Sequence, residues 1–564
     1  MQALTLSIGQ AGIDYFSRQF FASQLVNLLE GLALPDRTIA VGDFLATGVG
    51  WSDSYSDINV YLTSGTLQGF TPAYQGVKQL ASGQPAGSQF QIAFGAGAFT
   101  AQYNWHETGS DYFCSSSGHG TFCHGNQIDN TFQYAPRFDS ITVQVTTAFT
   151  YDKSSNTYLF TGVGSTATTG TESPNIPGGS VLQNEDSECF SSHVSSATSA
   201  AVSAIDFTGT ISGALPSLLK TVQGSGDLGN GIAFGFALGD SGMAFSTVSG
   251  QNGVSIGVTG TVSYEGAAYP GAAPQGLPMP PVPASTSANH LQTYVSDYSV
   301  NGLQWAYFKA GLLTTTATPG TVPDPRVLKC ATYVASIPAF KPYAMYGMQA
   351  AVTPLAAPVT TFQQVWEFTQ DAVNALQKQL PTNVWNILNT AMIGNSYLSS
   401  KDLDDDLAAY GVPTENVTAI ANATVGMGMV VVHDLQFVLT ILDGASPQPT
   451  ITFSVQRTDI QTRLSLGVTQ VAGSKAQTMQ FAYLNNSYAA TFVSSTVPKF
   501  PDGEQFADII WPQVGEPAYD NVLAAMGKAG VPIPIMSGFN FVFGGAQLSV
   551  QEGYVSIQAQ IEAS

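Results

Sequence analysis

Between residues 12 and 32 apolar side chains recur at Ile13, Phe16, Phe20, Leu25, Leu28 and Leu32. A spacing of three or four marks one buried face of a helix, and Pro35-Asp36 supplies its stop. At about 1.5 Å per residue the helix would run on the order of 30 Å, the length of a domain. Asp14, Arg18, Gln19, Gln24, Asn27 and Glu30 fill the other arc, so the segment is amphipathic and demands a cover on one side. It is not a membrane span, and without a basic leader and a small-residue cleavage site it does not read as a secretory signal.

From Thr38 to Tyr151 the period changes to two. INVYLTSGTLQGF (58–70), FQIAFGAGAFTAQYNW (90–105) and ITVQVTTAFTY (141–151) alternate between turn residues and predict a long antiparallel meander. A helix needing cover, followed by a sheet needing something on its inner face, predicts a sheet wrapped on that helix. Residues 164–192 read as a loop. A second helix is expected over Ser192 to Val222, with Ile205, Ile211, Leu215, Leu218 and Leu219 apolar and Gly209, Gly213 and Pro216 as breaks. Strands return at IAFGFAL (232–238) and VSIGVTGTVSY (254–264), and Tyr269 to Ala284 carries prolines 270, 274, 278, 280, 281 and 283, an extended linker.

Beyond the linker Tyr294 to Leu313 predicts another helix, with Leu303, Tyr307 and Leu312 on one side. Its Gly302-Leu303-Gln304-Trp305 echoes Gly12-Ile13-Asp14-Tyr15. Strands are expected around 329–354, a helical block at 360–411, strands again at 429–442, 451–457, 462–471 and 479–485, a helix from Phe506 to Ala529, and closing strands at 539–545, 548–550 and 554–561.

Composition narrows the function. The 564 residues carry a net charge of −21, with 6 Lys+Arg against 19 Asp+Glu over residues 1–290 and 11 against 19 over 291–564. Neither half offers a basic face, so nucleic acid is excluded as a partner and anionic membranes are poor ones. No apolar run reaches membrane-spanning length, so no transmembrane segment is expected. Cys114 and Cys123 bracket FCSSSGHGTFC, for which a hairpin disulfide is the simplest reading. His106, Cys114, His119, Cys123 and His124 also hold the donors of a tetrahedral zinc site, at a spacing that matches no common finger. Asp402, Asp404, Asp405 and Asp406 lack the turn glycine and closing glutamate of a calcium loop. No nucleophile elbow with ordered partners and no phosphate loop occurs. The expectation is therefore a protein without a catalytic site, resident metal or cofactor. Sequons at Asn416, Asn422 and Asn485 are compatible with export.

Three passages, in order, resemble the bactericidal/permeability-increasing protein (BPI) family of the tubular lipid-binding (TULIP) superfamily. They are IGQAGIDYF…LALPD at the start, MPPVPAS…VSDYSVNGLQWAYFKAGLL at 279–313, and AGVPIPIM…FNFVFGG…EGYVSIQ at 529–558. The resemblance implies an α+β fold of two barrels, each a twisted antiparallel sheet around a long helix, joined by a central sheet into a boomerang. It divides the chain into an N-terminal barrel (1–225), central strands and linker (226–287), a C-terminal barrel (288–530) with a helical insertion at 360–411, and returning strands (531–564). It further implies two apolar lipid tunnels. The first would be bounded by Ile13, Phe16, Phe20 and Leu28 with Leu215 and Leu219. The second would use Leu303 and Tyr307 with Ile509, Val522, Leu523 and Met526. Lipopolysaccharide-binding members carry a basic tip, where residues 1–153 here offer Arg18, Arg37, Lys78, Arg137 and Lys153. The family's usual disulfide has no clear counterpart, Cys189 having no partner within the following helix. The expected role is binding or transfer of phospholipid or other acyl lipid by a secreted or extracytoplasmic protein, with transient membrane contact. A protein-assembly module is the alternative, and an endotoxin-binding defence protein the more remote one.

Overall fold

The computed structural model describes residues 3–563 apart from 21–29, 49–50, 70–71, 82–87, 118–119, 153–156, 174, 185–186, 210–224, 249–250, 273–276, 285–287, 393–396, 400–402, 404–406, 408–409, 422–423, 472–473, 502 and 534–538. It is a mixed structure, four antiparallel sheets with few helices. The α-helices among the described residues are α1 (Gln10–Phe20), α2 (Ser187–Ser203), α3 (Asp297–Lys309), α4 (Gln370–Gln379), α5 (Thr382–Met392), α6 (Thr414–Ala421), α7 (Glu504–Ile510) and α8 (Glu516–Ala529).

One eight-stranded sheet gathers segments from the whole chain. Its order is Ser225–Gly229, Ile232–Val248, Gln251–Tyr264, Leu4–Gly9, Leu291–Ser296, Tyr554–Ala563 and Phe539–Gln551, with Ala267–Ala268 added to Gln251–Tyr264. Leu4–Gly9 runs straight into α1, and Leu291–Ser296 straight into α3. The two strands are antiparallel neighbours, Leu4 opposite Val295. The Gly12 and Gly302 echo thus falls on two strand-helix units whose strands pair antiparallel. At both glycines the helix presses on its support: a Cβ at Gly12 would lie 2.6 Å from the His290 carbonyl oxygen, and one at Gly302 3.3 Å from Val262. The proline linker lies over the first strand. Thr5 Oγ1 donates to the Pro278 carbonyl at 2.8 Å and Ser7 Oγ to that of Pro280 at 2.7 Å, which satisfies two buried hydroxyls.

The N-terminal half adds two sheets. One has seven strands built on Phe99–Ser117 and Trp51–Gln68; the other has four, Thr157–Thr169, Ile141–Asp152, Ser88–Ala96 and Pro72–Ala81. The C-terminal half adds an eight-stranded sheet built on Thr424–Ile441, Thr450–Val471 and Ser474–Ser495. The described pairings leave every sheet open. Where a closed barrel would continue its hydrogen-bond ladder, α2 packs instead across Arg37–Gly48 of one sheet and Thr157–Thr169 of the next, so side-chain packing joins them.

Several local expectations need correction. The stretch before 348 is not strand. Pro325–Leu328, Cys330–Tyr333 and Pro338–Tyr343 are short 3-10 turns, prolines fixing φ in the first and third, with Phe340 packed edge-on to Phe500 and Phe506. Val359–Glu367 is a strand paired with Thr424–Ile441, and helix begins only after Thr369, whose hydroxyl accepts from the Ala372 N–H. Helices α4 to α6 close on a separate small core of Phe368, Leu376, Leu388, Leu407 and Val417. The helix expected from Tyr294 begins at Asp297, because Leu291–Ser296 pairs on both edges. Residues 164–169 belong to a strand, and α2 starts at Ser187. The last helix is interrupted by a π turn, Trp511–Gly515, between α7 and α8; Pro512 and Pro517 cannot donate to the preceding turn, and the ladder widens there.

Candidate functional site

Helix α8 is apolar on two faces. The larger, Tyr519, Leu523 and Met526, is fully buried against the C-terminal sheet, and Gly527 sits so close to the Phe481 carbonyl that any Cβ would strike it. Two polar contacts fix the helix on this side. Asp520 Oδ1 meets Arg457 Nη1 at 2.6 Å and the Tyr519 hydroxyl meets His433 Nδ1 at 3.2 Å. His433 and Arg457 are register partners on adjacent strands and are buried.

The second face repeats at Pro517, Ala518, Asn521, Val522 and Ala525, a helical period of small side chains continued into the π turn by Val514, and the edge strand Thr315–Ala317 of the C-terminal sheet stands across from it. It walls a cavity of about 630 Å³. Opposite stand Tyr307 near the end of α3, Leu312 of the turn beyond it, the short strand Thr315–Ala317, and Thr321, Val322 and Pro323; Asn230, at a hairpin tip of the central sheet, completes the rim. Among the described residues no charged side chain lines it. The polar groups are two Asn amides, three Thr hydroxyls and the Tyr307 phenol, and Thr321 is occupied locally, accepting from the Thr318 N–H at 2.8 Å and donating to the Thr318 carbonyl. Burial raises the Tyr307 phenol above its ordinary pKa. The volume lies within the range of about 300–1,000 Å³ usual for small-molecule sites, and its described wall offers no charge to compensate a buried ionic group.

No family model matches this sequence, and no curated protein matches it. Among solved structures the chain is similar to one described as "Crystal structure of lipopolysaccharide binding protein", at 12% identity and a TM-score of 0.49, over 100% of this chain and 99% of that one. P47 from Clostridium botulinum A2 (7% identity, TM-score 0.22) and P47 of Clostridium botulinum E1 (6%, 0.21) are each matched over 99% of this chain, and over 97% and 98% of their own chains. Likenesses of this degree do not bear on ligand or activity.

Of the residues expected at the second tunnel, Tyr307 and Val522 line the cavity. Leu303, Leu523 and Met526 are fully buried in the main core, and Ile509 is exposed. Of those expected at the first, Ile13 is buried in the same core. Phe16 and Phe20 lie in α1, but their side chains, like Leu28, Leu215 and Leu219 altogether, fall outside the described residues. Sequence reasoning passed over Ala518, Asn521 and Ala525. The signal was present: a stripe of small residues offset from the large one on the same helix.

Elsewhere Cys114 and Cys123 face each other across a hairpin and are joined by a disulfide. Both sulfurs are thereby unavailable as zinc thiolates, and His106 Nε2 is 2.7 Å from Asp129 Oδ1. His119 and Asp402, Asp404, Asp405 and Asp406 lie outside the described residues. Among the described residues no group of three or more His, Cys, Asp or Glu is placed to hold a metal ion, and no helix is long and apolar enough to cross a membrane. Glu107, fully buried, is a structural anchor: it accepts from Trp105 Nε1, Asn130 Nδ2, Ser180 Oγ and the Val181 N–H, tying residues 180–181 onto the seven-stranded sheet.

Proposed function

We propose that the protein binds an uncharged acyl chain or comparable apolar ligand in the cavity between α3 and α8, as a carrier and not as an enzyme. One observation carries the reading: the small-residue face of α8, period-matched over Pro517 to Ala525 and apolar but for Asn521, fronts a cavity of about 630 Å³ with no charged side chain among its described lining. Each methylene moved from water into such a site contributes about 0.8 kcal/mol, so ten reach about 8 kcal/mol, the scale of a micromolar complex. A phospholipid or fatty acid would leave its headgroup outside, beyond Asn521 and Ala525, since nothing within neutralises a charge. A second tunnel in the N-terminal half, walled by α1, belongs to the same reading, as do tubular halves about the central sheet, exchange of lipid between surfaces and an extracytoplasmic location. No cofactor enters it. An acidic chain is not expected to hold lipopolysaccharide at physiological salt.

Uptake of a fluorescent acyl probe by the full chain tests the reading. Saturable uptake, competed by unlabelled fatty acid and lost when Ala518→Trp fills the cavity, supports it. A well-folded chain that takes up no probe, or takes it up equally with the cavity filled, sinks it and favours an assembly role.

A further inference from the structure

The cavity between α3 and α8 is graded from apolar to polar along its depth. On its inner wall Val514 and Ala317 are buried, and Leu312, Val522 and Tyr307 are half-buried. Four polar residues of the lining are exposed: Asn230, Thr316, Thr321 and Asn521. They form a collar of amides and hydroxyls drawn from four separate segments, which are a hairpin tip of the central sheet, an edge strand, the loop after it, and α8.

The hydrogen-bonding capacity of this collar is open. Thr321 is spent on Thr318, but the Asn230 and Asn521 amides and the Thr316 hydroxyl make no side-chain hydrogen bond among the described residues. Deeper in, the Tyr307 phenol is shifted by burial alone, with no hydrogen bond contributing. The charges that border the collar in sequence are, by contrast, committed. Asp227 Oδ1 accepts from the Gly229 N–H at 2.7 Å, Asp324 holds Arg326 at 2.7 Å, and Asp520 holds Arg457 at 2.6 Å. Both arginines thus already carry a carboxylate, whereas each Asn amide offers a donor and an acceptor together.

We propose, resting on the reading of the cavity as an acyl-ligand site, that its guest is an uncharged lipid with a hydroxyl-bearing head, of the monoacylglycerol class, whose glycerol hydroxyls seat among Asn230, Asn521 and Thr316. A glycerol head donates and accepts, as each amide does, and brings no charge to a lining that holds none. An ionised fatty acid places a carboxylate where no cation lines the wall, and a methyl ester supplies acceptors only, so the carbonyl oxygens of the amides stay without a donor. Collar groups lose water as the guest enters, and a head that restores their hydrogen bonds is favoured over one that cannot. The acyl chain then runs inward along Ala518 and Val522 toward Val514.

The test is displacement of a fluorescent acyl probe from the full chain at pH 8 by three competitors of equal chain length, monolauroylglycerol, laurate and methyl laurate, each kept below its aggregation concentration. The expected result is that the monoacylglycerol displaces the probe at a concentration at least about tenfold below that of either other lipid, the scale of two neutral hydrogen bonds. In the Asn230→Gly/Asn521→Ala variant that preference disappears. Glycine keeps the left-handed backbone of position 230 (φ 54°) and alanine suits the helix at 521, so melting temperature and circular dichroism stay at wild-type values. Equal displacement by all three lipids, tighter binding of laurate, or a preference that survives in the variant overturns the proposal and leaves the cavity reading standing. Absence of probe uptake, or uptake indifferent to Ala518→Trp, overturns that reading and the proposal with it.

Discussion

Replacing Ala518 by tryptophan places an indole in the cavity from a position half-way along the small-residue face of α8. The change enters existing space and not a packed interior, so the usual overpacking cost of about 1–3 kcal/mol is not expected. The indole's own burial at about 25 cal/mol per Å² leaves stability equal or raised. The guest loses that space. Displacing only three methylenes at about 0.8 kcal/mol each removes about 2.4 kcal/mol, about a fiftyfold rise in Kd. Displacement titration with a fluorescent fatty acid, beside thermal melting, measures both quantities. An unchanged Kd would place the ligand elsewhere, and a strongly destabilised variant would mean that Ala518 faces packed atoms; either refutes the reasoning. Leu523→Ala is the contrast, because Leu523 is fully buried on the opposite face. There the expected effect is a stability loss of about 2–5 kcal/mol.

Three further outcomes follow from particular side chains. Burial holds the Asp297 carboxyl up at about 6 against an ordinary 3.8, so between about pH 4 and 6 the unfolded chain ionises first and stability falls as pH rises, with no further loss above pH 6. Asp297→Asn flattens that dependence in urea midpoints. It also gains about 1–2 kcal/mol at pH 7 relative to wild type, the full shift being discounted for partial exposure. Glu107→Gln presents an NH₂ to a nest of four donors around a fully buried carboxylate. It costs about 1–3 kcal/mol in chemical denaturation, the scale of a buried donor left unsatisfied, and an unchanged midpoint would contradict the anchor role. Cys330 is buried and its thiol is pushed up to about 11, so alkylation of its peptide at pH 8 should follow global unfolding; prompt labelling of native protein would contradict the packing around it.

How far the sequence spoke depended on whether a feature was local. Period-two runs and the FCSSSGHGTFC hairpin carry their own partners nearby, and antiparallel strands joined by a disulfide follow from them. Val359–Glu367 misled because Val365, Trp366 and Phe368 precede a true helix, and only Thr369 and the distant strand Thr424–Ile441 separate the two states. The central sheet was not legible from local pattern, because Leu4–Gly9 is satisfied by partners more than 240 residues away. The cavity wall was half legible. Val522 and Tyr307 stood out as large apolar residues, whereas Ala518 and Ala525 look like ordinary helix formers until the cavity in front of them makes their face meaningful.

The most direct test of the central claim is organic extraction of natively purified protein followed by mass spectrometry. Bound acyl lipid near one equivalent or more per chain, reduced by Ala518→Trp, is the predicted result. Protein that yields no lipid, and stays empty after incubation with fatty acid, would contradict it.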